Sequence, residues 1–236
     1  MVPFTDADVN PVQPERIQTI EVGYKSLINN SVLVDINYYF NSYKNFITQT
    51  QIRRSLAGPV NQGTLAEQAA KGAAMLNGNA QNTFQIYTNN PGTVQAQGLA
   101  AGIDYRFVNG FTIGGNYNWN KLLTTDLNEQ GFLNDFNTPE HKINASIGNR
   151  KLTDNLGFNV TLRWQDAFTW ESSFARGPVP AYTTVDAQLT YKLSGIKSLL
   201  KVGGSNLLNQ KYIQSLGGVN IGALYYVSLT FDELLN

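Results

Sequence analysis

Nine stretches of this chain alternate apolar and polar residues with a period of two, and apart from Arg16 at the start of the first, no charged residue falls on the apolar side of any of them. Period two sends successive side chains to opposite faces of a strand, so each stretch reads as a strand with one apolar and one polar face. In the first, Glu15 to Leu27, Ile20, Val22 and Tyr24 stand against Thr19, Glu21, Gly23 and Lys25. In the second, Val32, Val34, Ile36, Tyr38 and Phe40 alternate with Asp35, Asn37, Tyr39 and Asn41. The third and fourth set Leu99, Ala101, Ile103 and Tyr105 against Gly102, Asp104 and Arg106, then Ile113, Tyr117 and Trp119 against Asn116, Asn118 and Asn120. Beyond them, Ile143 and Ile147 oppose Lys142 and Arg150, and Val160, Leu162 and Trp164 oppose Asn159 and Arg163. Val185 and Leu189 then oppose Asp186 and Lys192, Leu200 and Val202 oppose Lys201, and Val227, Leu229 and Phe231 oppose Tyr226, Ser228 and Thr230. Only an all-β fold accommodates this pattern.

Alternation alone fits a soluble sandwich as well as a membrane barrel. Composition separates them. Charged residues are 14% of the chain, against roughly 25% in an ordinary soluble domain. The polar faces are built from Asn, Thr, Gly, Gln and Ser, where a water-facing sheet would carry Lys and Glu. Aromatic residues gather near the ends of the apolar faces: Tyr24, Phe40, Phe107, Phe111, Trp119, Phe158, Trp164, Tyr191 and Phe231. Aromatic girdles of that kind mark the two interfaces of a transmembrane barrel. The apolar residues Val34, Ile36, Ile103, Ile113, Val160, Leu189, Val227 and Leu229 are then expected to meet lipid.

Connection lengths point the same way. Links near Asn29, Asn109, Thr153 and Ser194 are short, whereas 48–93, 121–140, 170–181 and 206–221 are long. Outer-membrane barrels keep this rhythm, with short turns at the periplasm and long loops outside. Within the longest loop, Thr64-Leu65-Ala66-Glu67 forms a capping box ahead of an Ala-rich run to Leu76, which predicts a helix that either consolidates the loop or covers a mouth.

Chemistry is sparse. The chain has no Cys and one His, which excludes disulfides, zinc–thiolate sites and multi-histidine metal sites. His141 lacks the neighbours of a catalytic triad and reads as a loop or strand-end residue. Gly203-Gly204 and Gly217-Gly218 lack the spacing of a phosphate loop. The triplets Asn144-Ala145-Ser146 and Asn159-Val160-Thr161 lie inside expected strands, so they do not read as glycosylation sites. Arg53-Arg54 reads as a solvated pair. Lys+Arg and Asp+Glu are balanced at 17 each, so no net field draws the chain to nucleic acid. No enzyme and no cofactor is expected.

Several stretches resemble one family. Pro14-Glu15 followed by Ile20-Glu21-Val22-Gly23-Tyr24, the group Tyr38-Tyr39 with Tyr43-Lys44-Asn45-Phe46, and Phe136-Asn137-Thr138-Pro139-Glu140-His141-Lys142 are similar to segments of TonB-dependent outer-membrane receptors. Gly203-Gly204-Ser205-Asn206-Leu207-Leu208-Asn209-Gln210-Lys211-Tyr212 resembles the Asn-Leu-Phe-Asn…Tyr element near that family's C-terminus. The flavour is that of Bacteroidetes receptors, often preceded by a carboxypeptidase-regulatory-like domain.

The resemblance implies an antiparallel transmembrane β-barrel of 22 strands, of which residues 1–236 supply nine from the C-terminal part. It implies a plug domain and TonB box lying upstream, energy from the TonB complex of the inner membrane, and residence in the outer membrane of a Gram-negative bacterium. The implied function is active import of a scarce solute: a siderophore, a glycan, a peptide or a cobalamin-like molecule. A non-transporting outer-membrane β-protein acting in adhesion or assembly is the alternative. Expected partners are outer-membrane lipid, the rest of the barrel and the plug, and TonB; a surface lipoprotein is left open. Asp35, Asp104, Arg106, Lys142, Arg150, Arg163, Asp186 and Lys192 are expected to face the lumen, holding the plug more often than the substrate. An odd strand count leaves two open edges, so the chain is expected to be incomplete as a functional unit. The tail Asp232 to Asn236 departs from the family's usual terminal aromatic.

Overall fold

The computed structural model describes residues 11–76, 81–124, 136–172 and 175–231. The tail after Phe231 lies outside them. Nine antiparallel strands form one sheet, each a neighbour of the next in chain order apart from two short excursions. They are β1 (Arg16–Ile28), β2 (Val32–Lys44), β5 (Val94–Arg106), β6 (Phe111–Leu122), β7 (His141–Asn149), β8 (Leu156–Gln165), β11 (Tyr182–Leu193), β12 (Ser198–Ser205) and β13 (Leu224–Phe231). All nine correspond to the period-two stretches. The excursions are β3 (Ile47–Ser55), α1 (Leu65–Leu76) and β4 (Gln81–Asn89) between β2 and β5, and β9 (Phe168–Glu171) with β10 (Arg176–Val179) between β8 and β11. Both hairpins fall in stretches expected to be strandless loops.

The register keeps one parity across the whole sheet. Ile36 pairs with Tyr24 and Ala101, Ala101 with Tyr117, Tyr117 with Ile143, and Ile143 with Trp164. Towards the other edge Val160 pairs with Ala187, Leu189 with Val202 and Val202 with Val227. A one-residue slip anywhere would reverse a strand's faces, so the alternating sequence itself fixes this register.

Turn chemistry sets the short ends. Asn29 and Asn30 both adopt left-handed φ, 50° and 54°, with Ser31 N–H donating to the Ile28 carbonyl at 3.1 Å. Two successive left-handed residues make a turn whose twist matches that of the strands, and Asn tolerates that conformation. Between β5 and β6 the left-handed position is Gly110, φ 82°. The link after β11 is a 3₁₀ turn, Ser194–Ile196, closed by Lys197 in left-handed geometry.

Burial is distributed unlike that of a soluble domain. Val22 is 68% exposed, Leu189 55% and Val227 72%, because no second protein layer covers the apolar face among the described residues. The buried apolar side chains Met75, Val94, Ala96 and Val179 lie instead on the excursions and at the start of β5. Helix α1 has the capping box expected of it. Thr64 N–H donates to Glu67 Oε2 at 2.7 Å and Glu67 N–H donates to Thr64 Oγ1 at 3.3 Å. The Thr64 N–H, together with the Thr64 hydroxyl donating to the same Oε2 at 3.0 Å, holds the Glu67 carboxyl below the ordinary carboxylate range.

Candidate functional site

The chemistry-bearing residues collect on the face opposite the apolar one. Seven of the eight anticipated residues sit there within strands: Asp35 opposite Gly102, Asp104 opposite Gly114, Arg106 opposite Thr112, Lys142 opposite Asn118, Arg163 opposite Asn144, Asp186 opposite Thr161, and Lys192 on β11. Arg150 differs, because β7 ends at Asn149 and leaves it in the following turn.

Two of these residues meet. Arg163 Nη1 lies 2.8 Å from Asp186 Oδ2. Asp35 is paired with Lys25, its direct cross-strand partner, at 2.7 Å. Asp104, Arg106, Lys142, Arg150 and Lys192 form no ion pair among the described residues. The other Asp186 oxygen, Oδ1, accepts the Asn206 backbone N–H at 2.8 Å. One carboxylate therefore ties an exposed arginine to the turn after β12.

Sequence reasoning missed two cross-strand braces on the same face. The ring of Tyr39 on β2 lies over Gly98 on β5, and its hydroxyl donates to Asn120 Oδ1 on β6 at 2.7 Å. Near the opposite edge Tyr226 on β13 lies over Gly203 on β12 and donates to Gln188 Oε1 on β11 at 2.9 Å. A Cβ on either glycine would lie 2.5 Å from the tyrosine's phenol group, so the bare backbone is what admits the ring. Both tyrosines belong to alternating stretches. Only the register reveals the facing glycine.

The long-loop end holds the two most distinctive sequence motifs, and both act as fasteners. In Phe136 to Lys142, the Asn137 side chain mimics a strand: its Nδ2 donates to the Glu171 carbonyl at 2.8 Å and its Oδ1 accepts Glu171 N–H at 2.7 Å. Glu140 accepts from Trp119 Nε1 at 3.1 Å and lies 3.3 Å from Lys121 Nζ; the indole bond, with the lysine, holds its carboxyl below the ordinary range. His141 Nδ1 sits 2.7 Å from the Tyr117 hydroxyl, with the rings stacked at 16°. In the second motif Asn206 and Asn209 both take φ 51°. Asn206 exchanges hydrogen bonds with Gln210, and Asn209 Oδ1 accepts Ala223 N–H at 3.1 Å. Gln210 Oε1 caps Thr183 N–H at 2.8 Å, while Tyr212 stacks on Tyr182 with centroids 4.0 Å apart.

A single sheet with one apolar, uncovered face and one amide-rich face is the wall of a β-barrel, seen here as a partial arc. Residues 2–207 match the family described as TonB dependent receptor-like, beta-barrel, and the chain belongs to that family. Solved structures of the same fold include a ferric enterobactin receptor from Pseudomonas aeruginosa, 18% identical with a TM-score of 0.61 over 91% of this chain and 31% of that one. The siderophore receptor PirA from Acinetobacter baumannii is also 18% identical, with a TM-score of 0.61 over 92% of this chain and 32% of its own. The FrpB iron transporter from Neisseria meningitidis is 14% identical, with a TM-score of 0.65 over 94% and 31%. The chain thus spans about a third of the length of the solved structures it matches. A comparison with curated proteins found no match.

Proposed function

We propose that this chain is the C-terminal part of a 22-stranded receptor barrel that imports a scarce solute across a Gram-negative outer membrane with energy delivered by TonB. The observation that supports it most is the pairing of family membership with a nine-stranded sheet whose apolar face is uncovered. Valine and leucine side chains exposed over half their surface are costly in water and stable against acyl chains. On this reading Ile103, Ile113, Leu189 and Val227 contact lipid, and the face carrying Asp35, Asp104, Arg106, Lys142, Arg163, Asp186 and Lys192 looks into the lumen, with Arg150 at its periplasmic rim. A plug and TonB box come from polypeptide upstream, and β1 and β13 pair with strands outside this chain. In hydrocarbon each unpaired backbone group costs several kcal/mol, so neither edge is left open. On the sequence resemblance we read the receptor as one of the Bacteroidetes type, for which a surface lipoprotein is a further partner to seek.

The solved structures of this fold are named for iron and siderophore uptake, which makes a ferric siderophore the first solute to assay, ahead of glycans, peptides and cobalamin-like molecules. The test is uptake of each labelled solute by cells lacking the gene, then complemented with it. Loss of one solute's uptake, restored only when TonB is present, is the expected result. Unchanged uptake together with lost surface adhesion would favour the non-transporting alternative.

A further inference from the structure

Charge on the apolar side of the sheet is confined to one end. The strand residues that share a face with Ile20, Ile36 and Tyr117 include Arg16, Lys44 and Lys121, and each stands at the long-loop end of its strand. Towards the short turns the same face carries Ile28, Val32, Tyr105 and Phe111, and no charged strand residue among those described. Lys121 is matched within the chain, 3.3 Å from Glu140. Arg16 and Lys44 are not. They are direct cross-strand partners, both exposed, and neither has an acidic partner among the described residues. The residues beside them on that face, Gln18, Ser42 and Gln95, are neutral. Glu15, adjacent in the chain, turns its Oε2 to the Ile47 N–H at 2.9 Å.

Directly opposite residues of antiparallel strands hold their Cβ atoms about 4.5–5.5 Å apart, and like charges there repel unless an anion lies between them. Height decides which anion. Phe40, the aromatic that marks the girdle on β2, lies four residues before Lys44 on the same face. At about 3.3 Å per residue and a strand tilt of about 40°, Lys44 and Arg16 stand roughly 10 Å beyond it along the membrane normal. Aromatic girdles sit where hydrocarbon gives way to headgroups, so the pair stands among the headgroups. It also points away from the lumen, and a solute there lies behind the sheet. A phosphate carried by a lipid reaches both this depth and this side. Its oxygens can accept charge-assisted hydrogen bonds from the two cations at once.

We propose that Arg16 and Lys44 together hold the phosphate of an anionic lipid in the outer leaflet, as a headgroup clamp on the long-loop rim of this wall. The proposal rests on the receptor reading above, which puts this face in lipid, and adds a specific ligand to it. Native mass spectrometry of the intact purified receptor, delipidated and then titrated with phosphatidylglycerol or phosphatidylcholine, tests it. The wild type is expected to retain phosphatidylglycerol about tenfold better, since each basic side chain at the surface adds to the attraction. The double variant Arg16→Gln, Lys44→Gln should bring that ratio close to unity. Lys121→Gln, which removes a cation already paired, should leave it unchanged. The two single variants give the same comparison where the double variant fails to assemble, with heat-modifiable migration reporting assembly. Equal retention of the two lipids by the wild type, an unchanged ratio in the double variant, or an equal fall in Lys121→Gln would overturn the proposal. So would displacement of phosphatidylglycerol by millimolar inorganic phosphate, which would mark a free-anion site. An intact protein that stays monodisperse with neither detergent nor lipid would instead defeat the receptor reading itself.

Discussion

The nine-stranded sheet and the excursions at its long-loop end are held together in opposite ways. The sheet buries only a few side chains, Val94, Ala96, Asn149, Thr184 and Ser198, near its strand ends; along its apolar face residues such as Val22, Leu189 and Val227 are exposed, and its order comes from the backbone ladder and the braces on the polar face. The excursions follow the ordinary rules of a water-soluble domain. Met75 is 3% exposed and Val179 fully buried, Glu171 pairs with Arg176 at 2.7 Å, and a capping box opens the helix. One part needs a hydrophobic solvent to be complete. The other carries its own interior. The same apolar residue type therefore has different meanings in the two regions.

Substitutions should separate them, beginning with the largest effect. Ile36→Arg on the apolar face, well inside the sheet between Tyr24 and Ala101, should cost about 2–4 kcal/mol as a midplane charge, read as lost heat-modifiable barrel or a lower urea midpoint of the intact receptor. Leu65→Arg on α1, where the side chain is 85% exposed, should leave assembly unchanged. Equal effects from both would dissolve the contrast. Next comes the brace: Gly203→Ala places a methyl group 2.5 Å from the Tyr226 hydroxyl and should cost about 1–3 kcal/mol by overpacking. Tyr226→Phe removes only a hydrogen bond and should cost about 0.5–1.5 kcal/mol in the same denaturation measurement. A Gly203→Ala effect no larger than that of Tyr226→Phe would show that the ring does not occupy the glycine site.

The smallest effects should stay inside the excursion. Thr64→Ala removes the helix cap at a cost of about 0.5–1 kcal/mol, visible as faster proteolysis near 56–64 without any change in barrel assembly. The Glu67 carboxyl is held below its ordinary range, so its contribution is complete above the ordinary carboxylate pKa and is lost as pH falls through the lower folded value. Proteolysis of that loop should accelerate on acidification while the sheet remains protected. If Thr64→Ala abolishes the acid response, the cap and the carboxylate act as one unit.

How far the sequence reveals each region follows from what surrounds it. The sheet is legible because its two faces meet different media, so alternation has a physical cause at every position from Ile20 to Phe231. Strand β3 carries polar residues on both faces; Thr48 and Thr50 alternate with Gln49 and Gln51, and no contrast remains to betray a strand. Strands β9 and β10 have four residues each, too few to establish a period. Helix α1 was readable because its signal, Thr64 against Glu67, is local. The fork at Asp186 was not. Asp186 and Arg163 are individually visible as polar-face charges, but their meeting with Asn206 depends on the relative stagger of three strands. Arg150 shows the reverse limit: the alternation runs one residue past the point where pairing ends.

The tyrosine–glycine braces also constrain how this wall can change through descent. Gly98 cannot acquire a side chain while Tyr39 lies across it, whereas Tyr39 can shrink first at modest cost; at Gly203 a Cβ would also lie 2.8 Å from the Ala187 carbonyl, so that glycine stays even if Tyr226 is lost. The route to a side chain at Gly98 is therefore open in one order and closed in the other. Related receptors should include lineages that have lost the tyrosine and kept the glycine, and very few with the opposite combination.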